Sequence, residues 1–391
     1  MVTLKLVLLL CVGFVTARPP VKRKESKHEI QADYIVTFKS EFDLTETTSD
    51  VVKQFPHFKV IPKLQYVYEK VVHGIALQGV SKEALDWLDK QVYIDYIEKS
   101  EEWTQNSCSI SSPSEPIAYS NQFNWGLDRI DEQPYPISGW DYTPSGDGTG
   151  VNIYIVDSGI QADHDQFSNV VALSTGVTCS NNDNHHGTWV AGVAAATNFG
   201  TAKGAKLVDV KVACASASTK DIATGLDKIA IDVTSSVKCV VVISYTTLTN
   251  YTSVESAMTV LHNEGCIIVA AAGNQGESAL YYPAAYSEVI SVGAVNANNK
   301  KPCFSNYGPT VDIYAPGTNI WTTDQNSTAT NMLVKVTGTS FAAPFVAGVA
   351  AIHLGLGVSA SNVNATIMSD AITSAISNLP SQSHNRILYV D

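Results

Sequence analysis

The sequence predicts an α/β protein with a doubly wound, mostly parallel sheet flanked by helices, preceded by a small βαββαβ unit. Three observations carry that expectation. From residue 151 onward the runs VNIYIVD, LVDVKV, CVVVIS, CIIVAAAGN, VISVGAV and VDIYAPG are apolar, several without polar alternation, as strands covered on both faces require. Helical stretches (TWVAGVAAAT, TKDIATGLDKIAIDV, TSVESAMTVLHNEG and TSFAAPFVAGVAAIHL) fall between them, and strand-helix alternation is the pattern of a parallel sheet wound on both sides. The N-terminal quarter has a different rhythm, of short strands and two amphipathic helices.

Taken in order, MVTLKLVLLLCVGFVTA (1–17) has a charged Lys5, an apolar core and a small-residue end at Val15-Thr16-Ala17. These are the parts of a secretory signal peptide, so an extracellular location is expected. A membrane anchor fits less well, because the run is shorter than the roughly 20 residues that span a bilayer. RPPVKRKESKHEI (18–30) is basic and proline-bearing, a disordered lead-in. YIVTF (34–38) reads as a strand and DLTETTSDVVKQF as a helix. YVYEKVVHGIALQGV has strand character interrupted at Gly74, SKEALDWLDKQ is amphipathic, and VYIDYI closes the unit. This order is a split βαβ unit of ferredoxin-like type, a domain of its own. The stretch SEEWTQNSCSISSPSEPIAYS (100–120) is polar and rich in Ser and Pro, an exposed linker of the kind proteases nick. The expected division is therefore 1–17, 18–110 with its boundary somewhere in 100–120, and 120–391.

At 391 residues, 45% hydrophobic and with 25 Gly, the chain can bury a large core. Its formal charge of −12 excludes nucleic acid as a partner, since phosphate binding needs clustered Lys and Arg. The late apolar run from Phe341 contains Pro344 and His353 and suits a buried helix, so no membrane span is expected. Of seven cysteines, Cys11 leaves with the signal, and the other six match no zinc spacing. One or two structural disulfides suit an oxidising compartment. Cys239 and Cys266 each start a strand, and either pair or remain two buried thiols. Asn250, Asn326 and Asn364 head glycosylation sequons.

Three polar residues stand at chain ends where α/β sheets build sites. Asp157 ends VNIYIVD, at the strand edge where ligands gather. His186 opens HGTWVAGVAAA and Ser340 opens SFAAPFVAGVAA. Each alone reads as a capping or loop residue. Together they supply what a serine nucleophile needs: an imidazole to take its proton, and a carboxylate to fix the imidazole's tautomer and stabilise its cation. Asn274, in VAAAGNQG after an apolar strand, can present its amide to a developing oxyanion. A helix cap at Ser340 is compatible with this role, because a helix N-terminus offers a free N–H and a positive dipole end beside the oxyanion.

IVDSGI (155–160), HGTWVAG (186–192), AAAGN (270–274), FSNYGPTVDIYAPGT (304–318) and GTSFAAPFVAGVAA (338–351), in that order, closely resemble the subtilisin-like serine proteases, nearest the proteinase K branch. The resemblance covers about 120–391, and the preceding βαββαβ unit resembles the family's inhibitory, chaperone-like propeptide. It implies a secreted serine endopeptidase that is made as a self-processing prepro-enzyme and needs no catalytic cofactor. Asp157 would be the orienting acid, His186 the base and then acid, and Ser340 the nucleophile, with Asn274 and the Ser340 N–H as oxyanion hole. Ser244, Tyr245, Thr246, Ala272 and Gly273 would line the substrate. Implied partners are protein or peptide substrates and the chain's own propeptide as intramolecular inhibitor, with a monomer as the resting state. The resemblance also implies a Cys179–Cys214 disulfide. It further implies a structural calcium held by Asp312 and the carbonyls of Ser287 and Val289, against the plainer reading of Asp312 as a loop cap.

Three departures stand against the family pattern, the first being CASAS (214–218), which lacks the glycines commonly seen on the family's other substrate-binding edge. Trp189 replaces the second histidine of the helix motif, which predicts altered packing rather than lost chemistry. Thr246 and Thr247 replace two glycines after the substrate-edge strand, so substrate preference is expected to differ. The last two departures motivate an alternative, a catalytically impaired homologue acting as a binding or surface protein. A nucleophile-elbow esterase is excluded, because no GxSxG follows a strand.

Overall fold

The structure is a computed structural model and describes residues 31–105, 109–115, 124–132, 142–168, 170–178, 185–214, 216–234, 236–324 and 331–391, with the backbone alone for 105 and 109–115. The signal segment, Cys11, Cys108, Cys179 and Asn326 lie outside these residues.

The N-terminal unit runs β1 (Ala32–Phe38), α1 (Leu44–Gln54), β2 (Lys63–Val67), β3 (Gly74–Val80), α2 (Lys82–Leu88), β4 (Ile94–Lys99). Its strands pair antiparallel in the order β2-β3-β1-β4, as a split βαβ sheet does. Both helices start on side-chain caps: Asp43 accepts from Glu46 N and Ser81 from Ala84 N. The alternation in β1 and β3 assigns two covered faces. Val36, Phe38, Ile75 and Leu77 pack under α1 and α2, whereas Ile35 and Ala76 are buried against the second, larger unit.

That larger unit contains β5 (Glu102–Gln105), β6 (Ser109–Glu115), α3 (Trp125–Asp131), β7 (Val151–Asp157), β8 (Val170–Ala172), α4 (His186–Ala195), β9 (Lys206–Lys211) and β10 (Ala217–Ser218). It continues through α5 (Thr219–Asp232), β11 (Lys238–Ile243), β12 (Tyr245–Thr246), α6 (Thr252–Asn263), β13 (Ile267–Ala271), β14 (Val289–Val295) and β15 (Ile313–Pro316). The chain closes with β16 (Ile320–Thr323), β17 (Leu333–Thr337), α7 (Thr339–Gly355), α8 (Ala360–Asp370), β18 (Ile372–Thr373) and β19 (Arg386–Ile387).

Among the described residues, nine strands form one sheet in the order β18-β19-β15-β14-β13-β11-β7-β9-β8, parallel except for β18. The unbroken apolar run of β11 is explained by burial on both sides. Val240 and Val242 join the core with α4 and α7, and Val241 and Ile243 join the core with α5 and α6. Each fully buried valine contributes about 1.5–3 kcal/mol. α7, apolar all round, is buried from Thr339 to Leu354 under the middle of the sheet. Cys239 and Cys266, which flank the β11–β13 pairing, form a disulfide.

The described residues within 100–120 depart from the exposed linker expected there. β5 inserts between β10 and β12, β6 pairs with β17, and Trp103 is fully buried. A sequence with no period of its own is made extended by the strand edges it meets, which is tertiary context overriding local propensity.

Candidate active site

Strand order reverses at β7: the chain next builds β8 and β9 on one side of it, then crosses to β11 on the other. Crevices at such switch points, beyond the strands' C-terminal ends, are where α/β sheets hold ligands. Asp157 ends β7, Ser244 follows β11 and Asn274 lies just beyond β13. The first turns of α4 and α7 carry His186 and Ser340 to the same end.

His186 Nδ1 lies 3.0 Å from both Asp157 oxygens, and both residues are buried. Ser158 N donates to Asp157 Oδ1 at 2.7 Å, leaving the carboxylate well supplied with donors. The approach of α4 depends on Gly187, where a Cβ would stand 2.4 Å from Gly159 O. The Ser158 hydroxyl accepts from Gly187 N at 3.0 Å, stitching the two segments together. Behind Asp157, burial pushes the Asp209 carboxyl up to about 6; the Ile160 N–H and Lys211 oppose the shift and the Asp157 charge adds to it.

Ser340 is fully buried and its Oγ is hydrogen-bonded to none of the described residues. Pro344 has no N–H to give Ser340 O, the carbonyl one helical turn back. The Ser244 hydroxyl donates to that oxygen at 3.5 Å instead, which links the helix that Ser340 opens to the end of β11. Asn274 Oδ1 accepts from Thr339 N at 2.9 Å and Thr339 Oγ1 at 3.0 Å, so the amide's NH2 is its donor end. The Asn274 loop turns at Gly273, whose φ of 108° and proximity to Asn306 Nδ2, 2.3 Å from where a Cβ would sit, admit only glycine. Asn306 knits this loop by donating to Ala272 O at 2.8 Å and accepting from Gln275 N and Glu277 N.

Ser244, Tyr245 and Thr246 are buried, and β12 pairs with β5 through Tyr245 opposite Gln105 and Thr246 opposite Thr104. On the far side, Ala217 pairs with Trp103 and Ser218 with Glu102. The expected substrate edges are thus two strands with a stretch of this chain between them, and Ala272 and Gly273 border the same end of the sheet.

Trp189 is nearly buried and donates its indole N–H to Asp324 Oδ1 at 2.8 Å. Sequence reasoning missed Asp324, and it also missed Thr339 and Asn306. Asn306 lay in a motif quoted for resemblance, which was the signal for it. Asp312 Oδ2 accepts from Ser291 N at 2.9 Å; burial raises its pKa, with that N–H, His384 and Arg386 opposing. A single carboxylate with cations near it falls short of the six to eight oxygens calcium takes. Among the described residues no group of three or more His, Cys, Asp or Glu could hold a metal. A calcium here would need the carbonyls of Ser287 and Val289 and water oxygens beside the Asp312 carboxylate, and no chemical step runs through it. Cys214 is disulfide-bonded.

The model of the subtilase family matches residues 148–387. An extracellular serine proteinase of Thermus sp. (strain Rt41A) is 33% identical over 84% of this chain and 78% of its own length. Proteinase R of Parengyodontium album is 30% identical over 95% of this chain and 92% of its own. The crystal structure of a cold adapted subtilisin-like serine proteinase superposes with a TM-score of 0.63 at 29% identity, covering 69% of this chain and 99% of that one. With the sheet, the strand ends and the motifs they carry in agreement, the chain belongs to the subtilase family and is a serine endopeptidase.

Proposed function

We propose that this is a secreted endopeptidase that cleaves peptide bonds through an acyl-enzyme and matures by cutting its own chain. The observation that carries the reading is the buried imidazole of His186 held by both oxygens of Asp157 at the mouth of the sheet, beside the helix that Ser340 opens. Ser340 Oγ bonds to the substrate carbonyl carbon as its proton passes to His186 Nε2. Asp157 stabilises the imidazolium, and Asn274 with the Ser340 N–H takes the oxyanion. The C–N bond then breaks, the leaving amine receives the proton from His186, and water hydrolyses the ester by the reverse sequence.

Residues 18–110 act in this reading as folding assistant and inhibitor. Support comes from β5, which occupies the place of a substrate strand between β10 and β12. β6 leaves along β17, which leads directly to Thr339-Ser340. The cut falls within 100–120, where the chain passes from β5 to β6, and residues 1–17 are removed on secretion. The mature protein is a monomer. Calcium at Asp312 with the Ser287 and Val289 carbonyls would act on stability alone.

Fluorophosphonate labelling of the mature secreted protein tests the chemistry. Labelling at Ser340 that is abolished in His186→Ala is expected; an unlabelled wild-type protein would leave a binding protein without catalysis. Ser340→Ala produced in a host lacking other proteases should accumulate uncut, and maturation of that variant would refute self-processing.

A further inference from the structure

Two consecutive histidines each give Nδ1 to a different carboxylate: His186 to Asp157, and His185 to Asp324 at 2.7 Å. The second pair has no part in the proposed proton transfer. Asp324 follows β16, is itself nearly buried, and spends one oxygen on two donors, His185 Nδ1 and the Trp189 indole N–H. Its backbone N–H is held by Met332 O at 2.8 Å.

What Trp189 touches gives the pair its meaning. The indole lies 6.0 Å from the His186 ring and 6.3 Å from Phe341, and Phe341 lies 5.4 Å from His186, all centroid to centroid and tilted. Phe341 is the residue after Ser340. The general base is therefore caged on one side by two aromatic rings, one of them on the nucleophile's own helix. Phe341 is fixed by the core, whereas Trp189 reaches toward β16, where its orientation is set by the one hydrogen bond to Asp324. β16 is tied to α4 twice more, as Thr322 Oγ1 donates to Trp189 O at 2.6 Å and Thr323 Oγ1 to Thr188 O at 2.7 Å.

We infer that Asp324 is a positioning residue for the hydrolysis: through the Trp189 indole it holds the His186 imidazole in register with Asp157 and Ser340. A hydrophobic ring alone would fill the space and leave the tilt of the imidazole underdetermined. Small displacements of a general base cost rate with little effect on substrate binding. The inference rests on the proposed Asp157-His186-Ser340 chemistry.

The test uses mature enzyme, with variants matured in trans by wild-type protein where self-cutting is slow. Trp189→Phe keeps a ring and removes the donor, Asp324→Ala removes the acceptor, and Asp324→Asn keeps a carbonyl that can accept from the indole. Expected are kcat losses of about 10-fold for Trp189→Phe and Asp324→Ala, with KM within about twofold of wild type. The double variant should be no worse than either single one, because both break one contact, and Asp324→Asn should recover most of the rate. Fluorophosphonate labelling of Ser340 should slow in parallel. Wild-type labelling and wild-type kcat in Asp324→Ala would overturn the inference, as would additive losses in the double variant or a loss confined to KM or to thermal stability. An unlabelled wild-type enzyme would instead overturn the catalytic reading beneath it.

Discussion

Replacing Asp227 by alanine should free the enzyme from its N-terminal unit without touching its chemistry. Asp227 lies on α5, on the face of the sheet opposite α4 and α7, and is fully buried at the seam between the two units. It accepts from Lys70 N at 2.7 Å, Tyr66 Oη at 2.9 Å, Val71 N at 3.0 Å and Glu69 N at 3.1 Å. Lys228 sits over the Tyr66 ring at 5.0 Å, closing the seam from the α5 side. Three successive backbone N–H groups converge on one carboxylate, so the turn after β2 is a docking device that the N-terminal unit can satisfy in this way only when bound.

The magnitude follows from those bonds. Each bond to a charged acceptor is worth about 1.5–3 kcal/mol in net terms, but the free unit recovers much of this in water. Truncating one partner of a buried, hydrogen-bonded charged contact costs about 2–5 kcal/mol in practice. A loss of about 3 kcal/mol corresponds to about 150-fold in the inhibition constant. The assay titrates a recombinant segment 31–105 against mature wild-type enzyme and Asp227→Ala, reading hydrolysis of a small peptide. Because the same segment meets both enzymes, any cost of ordering it cancels. Equal kcat/KM for the peptide and an inhibition constant raised about 100-fold are expected. A constant within threefold of wild type would refute the argument that the seam, rather than the cleft alone, holds the inhibitor.

Trp103→Ala in the same segment should weaken inhibition by about 100-fold or more, since the ring is fully buried, stacked on Tyr251 at 5.8 Å and hydrogen-bonded to Thr219 Oγ1 at 3.2 Å. Unchanged inhibition would mean that β5 is held by its backbone alone. Asp209→Asn should stabilise the fold at pH 8. The folded pKa is raised from 3.8 to about 6, so the stability tied to this group is present below about pH 4 and lost as pH rises through about 6, worth about 3 kcal/mol at most. Thermal melts of Ser340→Ala and Ser340→Ala/Asp209→Asn at pH 4 and 8 should diverge only at the higher pH. An equal difference at both would point to packing. Replacing Cys239 and Cys266 by alanine opens a closure of 27 residues and should cost about 3–4 kcal/mol in denaturant unfolding; a loss below about 1 kcal/mol would show that the buried side chains hold without the bond. If calcium sits at Asp312, chelator should lower the melting temperature of wild type and leave Asp312→Ala unmoved.

How much of this was legible depended on whether the physical cause was local in the chain. β7 and β14 match the apolar runs residue for residue, because burial on both faces makes nearly every position of such a strand apolar. The sites at Asp157, His186, Asn274 and Ser340 were legible as strand and helix ends. β5 and β6 were illegible for the opposite reason. Nothing in SEEWTQ or SISSPSE prefers an extended chain; the edges of β10, β12 and β17 impose it. Asp324 was hidden by distance, 135 residues from the Trp189 it orients.

The departure at Trp189 shows how the two kinds of information combine. In the sequence it is a missing histidine in an otherwise intact motif, which could mean decay. In the fold the larger ring is matched by an acceptor at Asp324 and by a packing partner at Phe341. Decay would leave an indole N–H buried without an acceptor, at a cost of about 1–3 kcal/mol, and there is no sign of that cost here. The substitution comes with the partners an indole needs, and one of them, Phe341, also packs against His186. An altered motif residue so provided for indicates a different way of holding His186 in place, which is why the kcat of Trp189→Phe, more than its stability, is the quantity to measure.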